Sequence, residues 1–359
     1  MGAGFAFAAS ELTLVLFTTL APSGAVAFAL MGAPLFRSGL PADVRARLSK
    51  LLCIPLVVAM VGLVASATHL GNPDNALYVL AGVGRSPLST EVACAVAFLA
   101  LAGVFWLLTF SSRFPLGAQR AWLAVSMALA AVFVAAVALA YRQPTIPTWS
   151  LWHVPVALVL NSLVGGPLLA FFGLRAARVR LAGAPGAALL ATAAASAAAN
   201  AAVYALQGGA LAGVRNAVGP ATDLAPGFGV ATGAFLLLCA GAVALDAWLL
   251  VRDGRGAEGR AGGASAAAEG PASDGRSAVE GAGAEDSADG SEAADATSSG
   301  PEAAASAAAA NALAPSSPSW RAAARRLAPA AGACVLAFAG IFIMRFAFYM
   351  THMTVGLSF

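Results

Sequence analysis

Charge is what this sequence has least of. Only 10% of its 359 residues are Asp, Glu, Lys or Arg, while 60% are hydrophobic, against about 25% charged residues in an ordinary soluble domain. So few charges cannot cover a globule of this size, and the mean hydropathy of +0.81 points to lipid as the outer solvent. Metal chemistry is equally short of ligands. The four cysteines, Cys53, Cys94, Cys239 and Cys334, stand singly in apolar runs with no CxxC or CxxxC spacing. That excludes an iron–sulfur or zinc site of the usual pattern and leaves buried thiols as the expectation. With only three histidines, none in mid-span, a bis-histidine haem has no facing ligands. Lysine occurs once, at Lys50, and no basic cluster with interleaved aromatics calls for a nucleic acid. The opening MGAGFAFAAS lacks the basic n-region of a signal peptide, so the first apolar segment is expected to be retained.

Long apolar runs are what remains. Eight cross the threshold for spanning about 30 Å of hydrocarbon as helices, near 12–34, 51–68, 91–110, 121–141, 154–174, 185–206, 228–250 and 328–350. They are Ala/Leu/Val-rich without period-2 alternation, so helices rather than barrel strands satisfy the backbone. The expected fold is an all-α membrane protein, eight transmembrane helices in one bundle. The arginines orient it. With the N-terminus outside, sixteen basic residues fall in cytoplasmic segments and only Arg85, Arg142 and Arg215 in outer loops, with Arg345 inside the last span. Both termini are therefore expected on the outer side. Trp149 and Trp152 serve as outer interface anchors, Trp248 and Trp320 as inner ones.

The organisation divides into residues 1–252 with seven spans, a segment 253–319, and residues 320–359 with the eighth span. The middle segment is Gly/Ala/Ser-rich and has nothing to bury, the composition of a disordered cytoplasmic linker. It holds eleven acids and three arginines. The net +3 thus conceals a basic membrane domain offset by an acidic insertion.

Ionisable groups within spans are costly and are the default functional candidates. Glu11, His69, Glu91, His153 and His352 fall at the outer ends of spans; Asp246 lies near the inner end of span seven, positioned to snorkel or pair there. Glu91 follows Ser89-Thr90 at a helix start, where the helix dipole alone favours a carboxylate. His69 and His153 also suit interfacial anchoring. Arg345, Tyr349 and His352 project within about 60° on a helix, and an arginine between phenylalanines should face the bundle or a polar cavity. Span six carries a stripe of Ser196, Asn200, Tyr204 and Gln207, read first as interhelical hydrogen-bonding glue and second as a cavity lining. Gly165-Gly166-Pro167 is expected to break or kink span five and allow close packing. A polar pocket roofed by His and Glu suits a small redox molecule that loses protons, such as a quinol, which needs a proton acceptor near its hydroxyls and an exit to water.

These residues also resemble a known family. The run HLGNP at 69–73 continuing through VGRSPLSTE to Glu91, PTWSLW at 147–152, GGPLL at 165–169, QGGALA from Gln207, RFAFYMTHMTVG from Arg345, and Glu11 followed by FTTL are similar to the membrane anchor subunits of dimethyl sulfoxide reductase. The resemblance covers all eight spans in order and omits 253–319. It implies a multi-pass protein of the bacterial cytoplasmic membrane that anchors a molybdopterin catalytic subunit and a four-cluster ferredoxin-like iron–sulfur subunit. Such a subunit oxidises menaquinol near the outer face and passes electrons on in anaerobic respiration. It has no haem, iron–sulfur cluster or molybdenum of its own. The residues associated with quinol oxidation match His69 and Glu91. Glu11, Gln207, Arg345, Tyr349 and His352 are then candidates for pocket lining or partner docking. Two other classes stay open: a passive anchor without quinol chemistry, and a secondary transporter, which would show broken helices in repeated halves.

Overall fold

A computed structural model describes residues 2–68, 78–111, 113–268 and 320–354. Among them, structure outside helices and turns is limited to one isolated bridge, Arg215 to Pro220. Eight helices are long and apolar enough to cross a membrane: Leu12–Phe36, Ala42–Ala67, Pro87–Leu108, Leu116–Ala140, His153–Ala176, Ala184–Ala212, Phe228–Arg255 and Ala323–Met350. They are called spans one to eight below. The protein divides into two compact units, one of Met1–Arg255 with Leu327–Phe359, the other Gly256–Arg326. The eight spans belong to the first unit for nearly their whole length.

Two boundaries differ from the hydropathy reading for physical reasons. Span two begins at Ala42, because the charged stretch ADVRARLSKL is helical although polar. It is interrupted only at Leu52. Pro55 explains the interruption: it has no N–H for the carbonyl four residues back, and its ring crowds that carbonyl. The helix of span seven runs on to Ala268, so the segment expected as linker begins helical; its residues 269–319 lie outside the described residues.

Span one is the central element. It packs against spans two, four and five, and its residues from Val15 to Gly32 are mostly buried. Small residues permit this. A Cβ on Gly24 would stand 2.7 Å from the Pro55 carbonyl oxygen and 2.8 Å from the Ala59 nitrogen, so spans one and two touch backbone to backbone there. Across the other face, Gly165 and Gly166 of span five leave room for Ser23 and Val26. Span five continues as helix through Pro167 from His153 to Ala176. The expected break is therefore absent, and the Gly-Gly pair serves close packing instead. Phenylalanines fill the space where spans one, three and four meet: Phe28 lies edge-on to Phe98 at 5.6 Å, and Phe98 stacks on Phe133 at 6.0 Å, arrangements that ring quadrupoles favour.

The polar stripe of span six is built into the bundle. Asn161 of span five donates to the Tyr204 hydroxyl at 2.7 Å, and Asn200 donates to the Asn161 side-chain oxygen at 2.8 Å and to the Ala157 carbonyl. The glue reading holds for these residues. In an apolar surround such bonds fix the register of one helix on the next.

Candidate functional site

The end of the bundle where span one begins and span eight ends gathers most of the candidate residues. Span eight supplies Arg345 and Tyr349, and the helix stops at Met350, so His352 lies just past it. The helical-sector argument thus ends at Tyr349, yet His352 reaches the same place. The loop after span four holds this segment down: the Thr148 hydroxyl donates to the Thr351 carbonyl at 2.6 Å, and both residues are buried.

Arg345 is 2% exposed. Its Nε donates to the Thr18 hydroxyl of span one at 2.9 Å. Its guanidinium lies over the rings of Phe348, Tyr141 and Tyr349 at 4.2, 5.3 and 5.5 Å. Three aromatic faces stabilise a cation that water cannot reach. Glu91 of span three, 1% exposed, lies within electrostatic range of Arg345 and of both tyrosines. Its helix begins at Pro87 behind a Ser86 cap, which puts Glu91 in the second turn. The dipole effect fades within the first turn, so helix capping does not account for a carboxylate buried there.

What this cluster lacks is internal satisfaction. Among the described residues, Glu91 Oε2, Arg345 Nη2, the Tyr141 and Tyr349 hydroxyls and the Trp149 indole nitrogen are buried without a hydrogen-bond partner. Native proteins pair nearly all such groups, and several orphans in one place mark a site that something else completes. A pocket of about 240 Å³ adjoins them, lined by Phe7, Glu11, Leu14, Leu88, Ala140, Tyr141, Gln143, Trp149, Tyr349 and His352. Its walls are flat and aromatic. His352 stacks on Phe7 at 4.0 Å and meets Trp149 edge-on at 5.2 Å, while Trp149 stacks on Phe348 at 4.6 Å. Burial pushes the His352 imidazole below its ordinary pKa and the Tyr141 phenol well above its own. At neutral pH the first is a free base that accepts a proton, and the second keeps its proton to donate. A planar ring bearing hydroxyl or carbonyl oxygens would find stacking surfaces, donors and a proton acceptor in this pocket.

Glu11, Tyr349 and His352 line the pocket directly; Glu91 and Arg345 are outside the lining, Arg345 over the two tyrosine rings and Glu91 electrostatically coupled to them. Gln207 is buried on span six and does not line it. His69 lies outside the described residues. His153 begins span five, stacked on the exposed Trp152, and is likewise outside the lining. Trp149 is corrected: it is 7% exposed and forms a pocket wall, because its loop folds inward over span eight. Only Trp152, 52% exposed, keeps the position of an interface anchor. Asp246 is also corrected. It neither snorkels nor forms the inner ion pair, being 0% exposed with neither oxygen hydrogen-bonded among the described residues; Arg175 pairs with Asp253 instead. Sequence reasoning missed Tyr141 and Thr18. Tyr141 is one of only four tyrosines and closes span four, a polar-tipped ring at a membrane boundary that reads as an ordinary interface residue.

Comparison with known proteins agrees with the motif resemblance. Residues 1–258 match the model of the family described as DMSO reductase anchor subunit (DmsC). The sequence is 35% identical over 240 residues to the anaerobic dimethyl sulfoxide reductase protein YnfH of Escherichia coli strain K12, a match spanning 67% of this protein and 82% of that one. It is 32% identical over 254 residues to the C subunit of anaerobic dimethyl sulfoxide reductase from the same strain, spanning 69% and 84%. The C subunit of the Haemophilus influenzae enzyme is 30% identical over 161 residues, spanning 45% and 57%.

Proposed function

The protein belongs to the family of dimethyl sulfoxide reductase anchor subunits, and on that premise we propose that it is the menaquinol-oxidising subunit of such a complex. In this reading it sits in the bacterial cytoplasmic membrane with both termini and the pocket at the outer side. It holds a four-cluster iron–sulfur subunit and a molybdopterin catalytic subunit at the membrane. The observation that carries the reading is the aromatic pocket backed by a buried acid, Glu91, beside a buried cation.

Oxidation of a quinol releases two protons and two electrons. In this reading the electrons would pass to the iron–sulfur partner. The protons need bases near the ring. His352 and Glu11 stand in the pocket wall, and Glu91 is outside the lining but coupled to its tyrosines. His69, two residues beyond span two, is the further acceptor or hydrogen-bond partner that the family motif assigns. Phe7, Trp149 and His352 would hold the ring by stacking, and Leu14 and Leu88 would let its isoprenoid tail pass to lipid.

The test is electron transfer from a reduced menaquinone analogue through the assembled complex. Glu91→Gln keeps the shape and removes the base, so turnover is expected to fall by about 100-fold or more, the usual size of a general-base contribution, with assembly intact. His69→Arg should act in the same direction. If both variants assemble and turn over at the parent rate, the protein is a passive anchor and the quinol reading fails.

A further inference from the structure

Glu91 does not line the pocket. A quinol seated against Trp149 and His352 would face the tyrosine wall of the pocket, and the carboxylate is outside the lining but electrostatically coupled to both tyrosines. A proton passing from the ring to Glu91 therefore has to cross that wall. Tyr141 and Tyr349 are 5% and 1% exposed. Their rings stand edge to face at 6.1 Å and 80°. The two hydroxyls face the same space without a well-formed hydrogen bond, and Glu91 Oε2 is also without one among the described residues. The two tyrosines line the pocket, both are coupled to Glu91, and all three side chains hold a buried oxygen with hydrogen-bonding capacity unused.

We propose that Tyr141 and Tyr349 form the proton bridge between a quinol in the pocket and the Glu91 carboxylate. The proposal rests on the quinol reading and adds the route. As the ring O–H gives its proton to a tyrosine oxygen, that tyrosine's own proton moves on to Glu91 Oε2. Each tyrosine is a neutral phenol before and after, and the carboxylate becomes the acid. The second ring proton goes to His352 in the pocket wall and the two electrons pass to the iron–sulfur partner, so two protons and two electrons leave the quinol together. When the quinone leaves and water fills the pocket, the bridge runs in reverse and Glu91 releases its proton to the pocket, where His352 and Glu11 stand at the wall.

The groups facing the bridge are Glu91 from span three, Arg345 from span eight, His352 from the segment after it, and Glu11 from the start of span one. Arg345 is caged by the Tyr141, Phe348 and Tyr349 rings. It packs against the two rings that carry the hydroxyls. A phenylalanine wall would keep the shape and the cage while breaking the connection.

The experiment uses the assembled complex, a reduced menaquinone analogue as donor, and a fluorescent quinone analogue for binding. Tyr141→Phe combined with Tyr349→Phe is expected to bind the fluorescent analogue nearly as the parent does, to lose about 10-fold or more of turnover, and to show an altered solvent deuterium isotope effect. Adding Glu91→Gln to the double variant should slow it no further than Glu91→Gln alone, because groups acting on one proton path are not additive. A merely structural role would lower assembly or binding and leave the isotope effect unchanged. Should the double variant fail to assemble, each single Phe variant paired with Glu91→Gln gives the same non-additivity test. Parent-rate turnover in the double variant, or rate losses that multiply with Glu91→Gln, would overturn the bridge. If Glu91→Gln itself turns over normally, it is the quinol reading that fails.

Discussion

At the scale of single residues the governing fact is the cost of polar atoms held away from water. Arg345 has a hydrogen bond to Thr18 and three ring faces, yet one nitrogen still lacks a partner among the described residues. His352 shows the same economy of partners. Burial lowers its pKa, so the folded protein prefers the neutral ring. An unfolded histidine titrates near 6.5. Below that pH the unfolded state takes up a proton that the folded site resists, and by linkage the contact weakens as pH falls. Above it the stabilisation is fully present. The protection of residues 351–354 against amide hydrogen exchange, relative to the intrinsic rate at each pH, is expected to fall as pH drops from about 7.5 to 5.5, the range around that unfolded value, and His352→Phe, which keeps the stack on Phe7 without a titrating group, should flatten that response. Neither Trp149 nor Tyr141 was legible as a pocket residue in the sequence, because both are the kinds of ring that membrane boundaries collect. Their inward orientation comes from the Thr148–Thr351 hydrogen bond and the packing of Trp149 on Phe348, contacts between segments far apart in the sequence.

Among the elements, span one carries the assembly. Lipid tails give no hydrophobic drive between helices, so association depends on close packing and a few hydrogen bonds. Gly24→Val would push side-chain atoms into the Pro55 carbonyl and Ala59 nitrogen. Overpacking of this kind costs about 1–3 kcal/mol, with more expected here because the obstacle is backbone. The measurable result is loss of the folded subunit from detergent-solubilised membranes, whereas Gly103→Val, at a position with open space around it, should leave yield unchanged. Asn200→Ala removes both donations to span five and is expected to cost about 0.6–2 kcal/mol, read from unfolding in mixed micelles. The existence of all eight spans and the glue on span six were legible from hydropathy and a spacing of polar residues. The unbroken helix through Pro167 was not, since a proline's effect depends on what neighbouring helices supply.

For the whole molecule, the basic residues predict orientation, a property that the fold of the bundle does not by itself determine. In a cysteine-free background, Ser10→Cys is expected to react with a membrane-impermeant maleimide from the outer side of intact cells, and Ser273→Cys only after the membrane is opened. The reverse pattern would place the pocket on the inner side and remove the proton exit on which the quinol reading depends. Sequence by itself determined the class of protein, the number of spans and the family, because the solvent around a helix is written in composition and a family in its motifs. It also marked Glu91, Arg345 and Tyr349, since a charge or phenol in an apolar run is conspicuous at any distance from its partners. Only the tertiary structure decided which of these residues meet. Glu91 and Arg345 lie in spans three and eight, far apart in sequence, and no local pattern states that both will be coupled to Tyr141 and Tyr349 of one pocket wall. Proximity across a bundle is set by which small residues let which helices approach, and in this protein span one sets it.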